Sequence, residues 1–404
     1  MPRSPTRKPA QNPFVVSLLA EGAHFADREA EVARMAAALR TPGAKLVVYG
    51  VRRLGKTSAL ERAAEAVRRD REMVAVAAFS TASDASEAAQ RILSAVQKEV
   101  GTSWRETLSR IAESVDASIE ISPSSEPGAL PSVKFGFGKR EAASVKLVPD
   151  VLDAINAQIA RRKETLGLGL DEFQRIHEWG GEDGEWALRE AMQRHRALAY
   201  VLAGSKRHLI EAMIGNKGRA LWKLVEPMEF GPMDDGVLAD WITDRGKATN
   251  VRMPAATADL IVKLSRPRTR DVVQLARAVW DVAASRGEAD QEHVVRGLEQ
   301  LVREQSALYE MIWRKLTARQ QMVLRAIAAE ADVQITSADS LHRYRIGAKS
   351  TVQSTVDTLV DAEHLTRVAT GRYSFDDPFF RRWVQVYGLP DIGVATPPIL
   401  LRDE

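Results

Sequence analysis

A chain of 404 residues is long enough for two or three domains with cores of their own. The absence of cysteine excludes disulfides, thiol catalysis and thiolate metal sites, and it is compatible with a reducing cytoplasm, the location expected here. Net charge is +3 with 27% charged and 45% hydrophobic residues, which is weak evidence for a nucleic-acid partner, and no apolar run reaches the roughly 18–20 residues that span a bilayer, so no membrane partner is expected.

The first segment, "MPRSPTRKPAQNP", is basic and proline-rich and lacks the apolar stretch of a secretory signal. It reads as a disordered tail over residues 1–19, compatible with weak electrostatic contact to a partner. "DREAEVARMAAALRT" (27–41) has helical spacing. "KLVVYG" is a buried strand, "SALERAAEAVRRD" a helix, "MVAVAAFS" (73–80) a second strand and "ASEAAQRILSAVQKEV" a helix. This alternation predicts a parallel sheet with helices on both faces. Residues 113–147 interrupt it. "ASIEIS" and "VKFGFG" flank a Pro/Gly-rich turn, which predicts an inserted β-hairpin. The α/β rhythm then resumes: "VPDVLDAINAQIARRKE" (helix), "TLGLGLDEF" (strand), "GEWALREAMQRHR" (helix), "ALAYVLAGS" (strand), with "KLVEPMEF" a candidate last strand.

From about 231 to 305 only helical segments follow, which predicts a separate helical lid. Residues 306–404 read as three helices and two short strands, "TRVATG" and "RYSFDD", a winged helix-turn-helix plan. "DDPFFRRWVQVYGLP" has aromatic residues at helical spacing and reads as core that anchors the C-terminus. No tandem repeat is present. The seven histidines show no metal spacing, and "GLGLG" lies inside a strand, so it is no dinucleotide fingerprint.

The chemistry begins at "GVRRLGKTS", the pattern G-x-x-x-x-G-K-[ST] at Gly50, Gly55, Lys56 and Thr57. A triphosphate needs many donors in a small concave space, and successive backbone N–H groups ending at a helix N-terminus supply them. Gly50 lets the strand turn and Gly55 lets the backbone approach phosphate. Arg52, Arg53, Leu54 and Ser58 complete the nucleotide-binding loop. Lys56 would reach the β- and γ-phosphates, and Thr57 would ligate Mg²⁺. Chance gives such a match on the order of 0.01 times per chain of this length, and here it sits between a strand and a helix.

"TLGLGLDEF" ends in two acids. Asp171 would complete the Mg²⁺ shell and Glu172 would orient or deprotonate water. Gly167 and Gly169 are unusual in a central strand and suggest close packing. Ser205 ends the strand "YVLAGS", so it could sense the γ-phosphate or position water. Lys206 and Arg207 follow, as charge neutralisers or plain surface cations.

These strings resemble the archaeal-type ATPases, a branch close to the STAND and AAA+ NTPases. "GVRRLGKTSAL" resembles their P-loop, "LDEFQRI" their Walker B segment, and "ALREAMQRHRALAYVLAGSKRHLIEAMI" the stretch into their Gly-Ser sensor. "HFADREAEVARM" resembles their N-terminal box, which places Phe25, Arg28 and Glu29 near the base and ribose; Asp27 stands where that box has glycine. The resemblance covers about residues 20 to 390. It implies an α/β P-loop NTPase of ASCE type over 20–230, with the 113–147 hairpin insert, the helical lid and the winged helix. It also implies ATP or ADP with Mg²⁺, hydrolysis of ATP, lid closure, and nucleotide-dependent homo-oligomers. Arg266, Arg268 and Arg270 in "LSRPRTRDVV" could serve as a lid sensor or as interdomain charges.

Two alternatives stand beside an ATPase switch. One is a regulator that binds DNA or assembles without turning nucleotide over. The other is an AAA+ initiator or transposition regulator, against which the Gly-Ser sensor position argues. In the winged helix, Lys349, Ser350, Thr351, Gln353 and Ser354 open the candidate recognition helix, Arg343 and Arg345 precede it, and Arg367 and Arg372 lie on the wing. That layout suits DNA. Residues 318–390 carry nine basic against eight acidic residues, which suits a protein partner or an autoinhibitory contact equally well.

Overall fold

The computed structural model describes residues 11–16, 27–100, 105–115, 117–122, 132–137, 145–330 and 333–399, which divide into two compact units. The first in chain order, 19–231, is built on five parallel strands. These are β1 (Lys45–Tyr49), β2 (Val74–Ala78), β5 (Leu166–Asp171), β6 (Leu198–Gly204) and β7 (Glu226–Glu229), ordered β2-β5-β6-β1-β7. β6 therefore separates the phosphate-loop strand from the acid strand, the arrangement of an ASCE-type P-loop NTPase. The last candidate strand of the sequence is real and is the edge strand β7. β3 (Ala117–Ser122) and β4 (Ser132–Phe137) pair antiparallel, as the inserted hairpin requires. Its turn, 123–131, lies outside the described residues, as do Phe25 and tail residues 1–10 and 17–19.

Helices cover both faces. α1 (Glu29–Arg40) and α2 (Lys56–Arg69) bury Met35, Leu39, Leu60 and Val67 against Val48 and Val201. On the other face α3 (Ala85–Val100), α4 (Arg105–Ser114), α5 (Leu147–Arg161) and α6 (Arg175–Arg194) bury Ile92, Ile111, Val151 and Leu188 against Val47, Leu168 and Leu202. α4 has no counterpart in the sequence reading. α6 starts about nine residues before the predicted helix because Gly181, at φ 56 and ψ −148, kinks it, and the kink masks the periodicity of its first turns. α7 (Arg207–Gly215) follows β6.

Strand β5 shows why its glycines are there. Side chains alternate across a strand, so Leu166, Leu168 and Leu170 enter one core, and positions 167 and 169 face α1 and α2. A Cβ at Gly167 would lie 2.7 Å from the Leu39 carbonyl oxygen, and one at Gly169 would lie 3.0 Å from Leu60 Cδ1. Both helices thus pack directly on backbone.

The second unit joins residues 11–16 to 232–399. α8 (Asp235–Lys247), α9 (Ala255–Ser265), α10 (Thr269–Ala283) and α11 (Gln291–Glu304) form the helical part. α12 (Ser306–Lys315), α13 (Ala318–Ala329), α14 (Ala338–Arg343), α15 (Lys349–Asp361), the hairpin β8 (Leu365–Ala369) and β9 (Arg372–Phe375), and α16 (Pro378–Trp383) complete a winged helix. The aromatic segment is core, as its spacing predicts: Phe379, Phe380 and Trp383 are buried with Tyr309 and Trp313 of α12. An ion pair between buried Arg268 and half-buried Asp376 joins the winged helix to the helical part, with Thr366 Oγ1 donating to Asp376 at 3.0 Å. Inside the winged helix, Trp383 Nε1 donates to Ser306 Oγ at 2.8 Å.

The disordered tail expected over 1–19 does not extend through Asn12–Phe14. Phe14 is fully buried edge-on to Trp241, and Asn12 Nδ2 donates to Arg277 O at 3.1 Å and Asp281 Oδ1 at 2.8 Å. An Asx turn, Phe14 N to Asn12 Oδ1 at 3.0 Å, shapes the segment. One buried aromatic inside a polar, proline-rich string carries no periodic signal, which is why composition alone misses it.

Gly167→Val should destabilise the parallel-sheet unit by about 1–3 kcal/mol, because the nearest obstacle is backbone that cannot rotate away. Urea unfolding measures it, and an unchanged midpoint contradicts the packing described.

Candidate active site

Parallel register sets the site. Tyr49 pairs with Gly204, and Ala203 pairs with Asp171. The residues that follow, Gly50, Ser205 and Glu172, therefore leave the sheet along one edge, the carboxyl edge where open α/β sheets bind ligands. Gly50 is needed for space, since a Cβ there would lie 2.2 Å from the Phe230 carbonyl oxygen. That differs from the sharp turn predicted for it. Gly55 caps α2 at φ 98, a left-handed conformation that disfavours side chains. Leu54 is buried and anchors the loop, while Arg52 and Arg53 are exposed, with Arg53 at φ 67. Lys56 is 6% exposed, and its Nζ donates to the carbonyls of Gly50 (2.8 Å) and Val51 (2.7 Å), so the ammonium lies across the loop. Ser58 is half-buried in the first turn of α2.

Thr57 and Asp171, 114 residues apart, meet at the head of α2. Thr57 Oγ1 donates to Asp171 Oδ2 at 2.6 Å, and Glu172 N donates to Oδ1 at 3.1 Å. Asp171 is 4% exposed, and burial pushes its carboxyl above the ordinary value against the lowering influence of the Thr57 hydrogen bond. A buried carboxylate beside a hydroxyl is a hard-oxygen set that suits Mg²⁺. Among the described residues no group of three or more His, Cys, Asp or Glu could hold a metal by itself. Glu61, one turn beyond Thr57, has its carboxyl raised by burial, with Asp171 adding to the effect.

Glu172 sits at φ 58, an uncommon backbone for this residue type. Ser205 Oγ donates to its Oε2 at 2.7 Å, and Gln174 Nε2 donates to the same oxygen at 2.5 Å. Arg52 Nε in turn donates to Ser205 Oγ at 3.3 Å. Gln174 is 1% exposed and occupies the space beside Gly204, where a Cβ would lie 2.3 Å from its Oε1. The sequence marks Gln174 as the last residue of the Asp-Glu-Phe-Gln string of the resemblance, without assigning it a contact. Its two-residue spacing from Glu172 was the available signal. Lys206 pairs with Glu178 at 2.7 Å, and Arg207 pairs with Glu211 at 2.7 Å and Glu229 at 3.0 Å. Both therefore serve carboxylates, as the surface-cation alternative has it.

Arg28 caps α1 at φ 109 and is 7% exposed. Its guanidinium donates to Glu31 (2.7 Å) and Gly231 O (2.6 Å) and lies 4.2 Å from the Phe230 ring centroid. It braces the chain after β7. In the helical part, Arg268 is taken up by Asp376, and Arg266 pairs with Asp235 at 2.6 Å, which is the interdomain and surface role.

The winged helix keeps only part of its candidate set together. Arg345, Lys349, Ser350 and Arg372 are exposed. Arg343 is held by Glu330 and Asp339, both at 3.1 Å, and Gln353 by Asp357 (2.9 Å) and Tyr373 (3.3 Å).

Comparison with known proteins agrees with this architecture. Residues 307–386 match a family model described as a probable winged helix domain. Among solved structures, the Walker-type ATPase PABY2304 of Pyrococcus abyssi matches 92% of this chain and 99% of its own, at 16% identity and a TM-score of 0.59. The ORC2 protein of Aeropyrum pernix, solved as ADPNP–ADP complexes, matches 93% of this chain and 96% of its own, at 15% identity and a TM-score of 0.56. At that identity the likeness establishes the fold: a P-loop ATPase sheet with a C-terminal winged helix. No curated protein sequence matches. No helix among the described residues is long and apolar enough to cross a membrane.

The Asp171 environment yields a test. Its raised pKa means the fold prefers the protonated carboxyl. That contribution is present below the unfolded value and is lost as pH rises through the folded one. At neutral pH the buried charge therefore opposes folding. Asp171→Asn should keep or raise metal-free stability in urea. A clear loss of metal-free stability contradicts this reading.

Proposed function

We propose that this chain is an ATP-hydrolysing molecular switch whose nucleotide state is passed to its winged helix. The observation that carries the reading is the meeting of Thr57 and Asp171 at 2.6 Å on a P-loop, with Glu172 next in the chain. The loop amides and Lys56 bind the phosphate tail, and Thr57 and Asp171 hold Mg²⁺, which would neutralise phosphate charge. Glu172 orients the attacking water and takes its proton. Ser205 and Gln174 both donate to Oε2, so the carboxylate is fixed and Oε1 is left to accept. ATP and water give ADP and phosphate.

The output is the winged helix, which shares one compact unit with the helical lid. The exposed cations Arg345, Lys349 and Arg372 support DNA phosphate contact. A protein partner is the second reading, supported by the capture of Arg343 and Gln353 and by the near balance of charge.

Lys56→Ala should abolish binding of Mg-ATP by calorimetry. Glu172→Gln should retain binding and lower phosphate release by about 10²–10⁴-fold. Equal turnover in Glu172→Gln and wild type contradicts its role. If DNA is the partner, its affinity should differ between ATP and ADP states, and Lys349→Ala should reduce the salt slope by about one. Salt-insensitive or absent binding in every nucleotide state decides for the protein partner.

A further inference from the structure

Phosphoryl transfer builds charge on the γ-phosphate oxygens, and a guanidinium is the side chain best shaped to meet it. Near the acid pair, Lys206 and Arg207 are drawn away by Glu178, Glu211 and Glu229. Arg175 donates to the carbonyl of Ala82 at 2.8 Å and pairs with Glu178 at 3.6 Å. Lys56 lies across the loop carbonyls. Arg52 belongs to the phosphate loop itself, three residues before Gly55, and its Nε donates to Ser205 Oγ at 3.3 Å. Ser205 Oγ donates onward to Glu172 Oε2 at 2.7 Å.

Resting on the reading of the site as an ATPase, we infer that Arg52 is a catalytic residue that supplies the transition-state positive charge within one chain. The geometric ground is the hydrogen-bonded line Arg52–Ser205–Glu172. Glu172 handles the water that attacks the γ-phosphorus, so a guanidinium two hydrogen bonds from that carboxylate stands on the γ side of the loop. Its planar fork suits two phosphate oxygens at once. In the step it assists, the water oxygen bonds to the γ-phosphorus and the water proton passes to Glu172 Oε1. The bond from phosphorus to the β–γ bridging oxygen breaks, and its electron pair stays on ADP. The proton then leaves to solvent. Arg52 stabilises the charge spread over the transferring group and is unchanged. Ser205 is a positioning residue that couples the guanidinium to the base, so the correct seating of one orders the other. A consequence is that turnover needs no arginine from a neighbouring copy.

The test uses the full chain. Wild type, Arg52→Ala and Arg52→Lys are compared in Mg-ADP binding, in single-turnover hydrolysis, and in trapping of ADP with aluminium fluoride, a transition-state mimic. Wild type should trap ADP–aluminium fluoride, with specific activity independent of protein concentration. Arg52→Ala should lose about 10³-fold in hydrolysis rate, far more than it loses in Mg-ADP affinity, and fail to trap the mimic on the ADP it binds. Arg52→Lys should recover part of the rate, since it keeps the charge and loses the fork. A merely structural role would lower ADP affinity in step with rate and leave trapping per bound nucleotide intact, which overturns the inference. So does specific activity that climbs with concentration, or wild type that binds Mg-ATP without hydrolysing it. Failure of wild type to bind any nucleotide sinks instead the reading beneath it.

Discussion

The contact on which the site depends is the one between the Thr57 hydroxyl and the buried Asp171 carboxylate. A carboxylate at 4% exposure is expensive to keep ionised, and here it is pushed toward protonation by its surroundings. Such a group is tolerated where a cation relieves it. The sheet order brings the two residues together, because β6 alone separates β1 from β5 and the three strands end in register. The same register brings Ser205 beside Glu172. Close helix packing on Gly167 and Gly169 then fixes how α2, with Thr57 in its first turn, lies over the acid strand.

The second unit shows a comparable economy. Arg268 is 4% exposed and its charge is met by Asp376, whose carboxylate also accepts from Thr366. The pair links the end of β9 in the winged helix to the start of α10 in the helical part. Within the winged helix, the aromatic cluster of Tyr309, Trp313, Phe380 and Trp383 packs α12 against α16. The two parts belong to one compact unit.

Much of this was legible in the sequence because the signals are periodic or spaced. The apolar run "KLVVY", the P-loop spacing and the terminal Asp-Glu each specify local backbone, and the three-helix-plus-hairpin pattern specifies the winged helix. What was not legible depends on contacts between distant residues. Nothing in "QNPF" announces that Phe14 will be buried on Trp241, 227 positions away. Nothing in "RPRTR" tells Arg268, taken up by Asp376, from Arg266, paired with Asp235. Gln174 belongs to the same class: its bond to the Glu172 oxygen that Ser205 of the neighbouring strand also meets is set by tertiary structure. The kink at Gly181 hid the start of α6 by breaking the period that reveals helices.

Calorimetric titration of ADP into the full chain, with Mg²⁺ and again with the metal chelated, tests the central claim most directly. The account predicts one nucleotide per chain, bound with measurable heat and distinctly more tightly with Mg²⁺ present. Well-folded protein that gives no heat, or an affinity indifferent to the metal, contradicts a phosphate cradle coupled to Asp171.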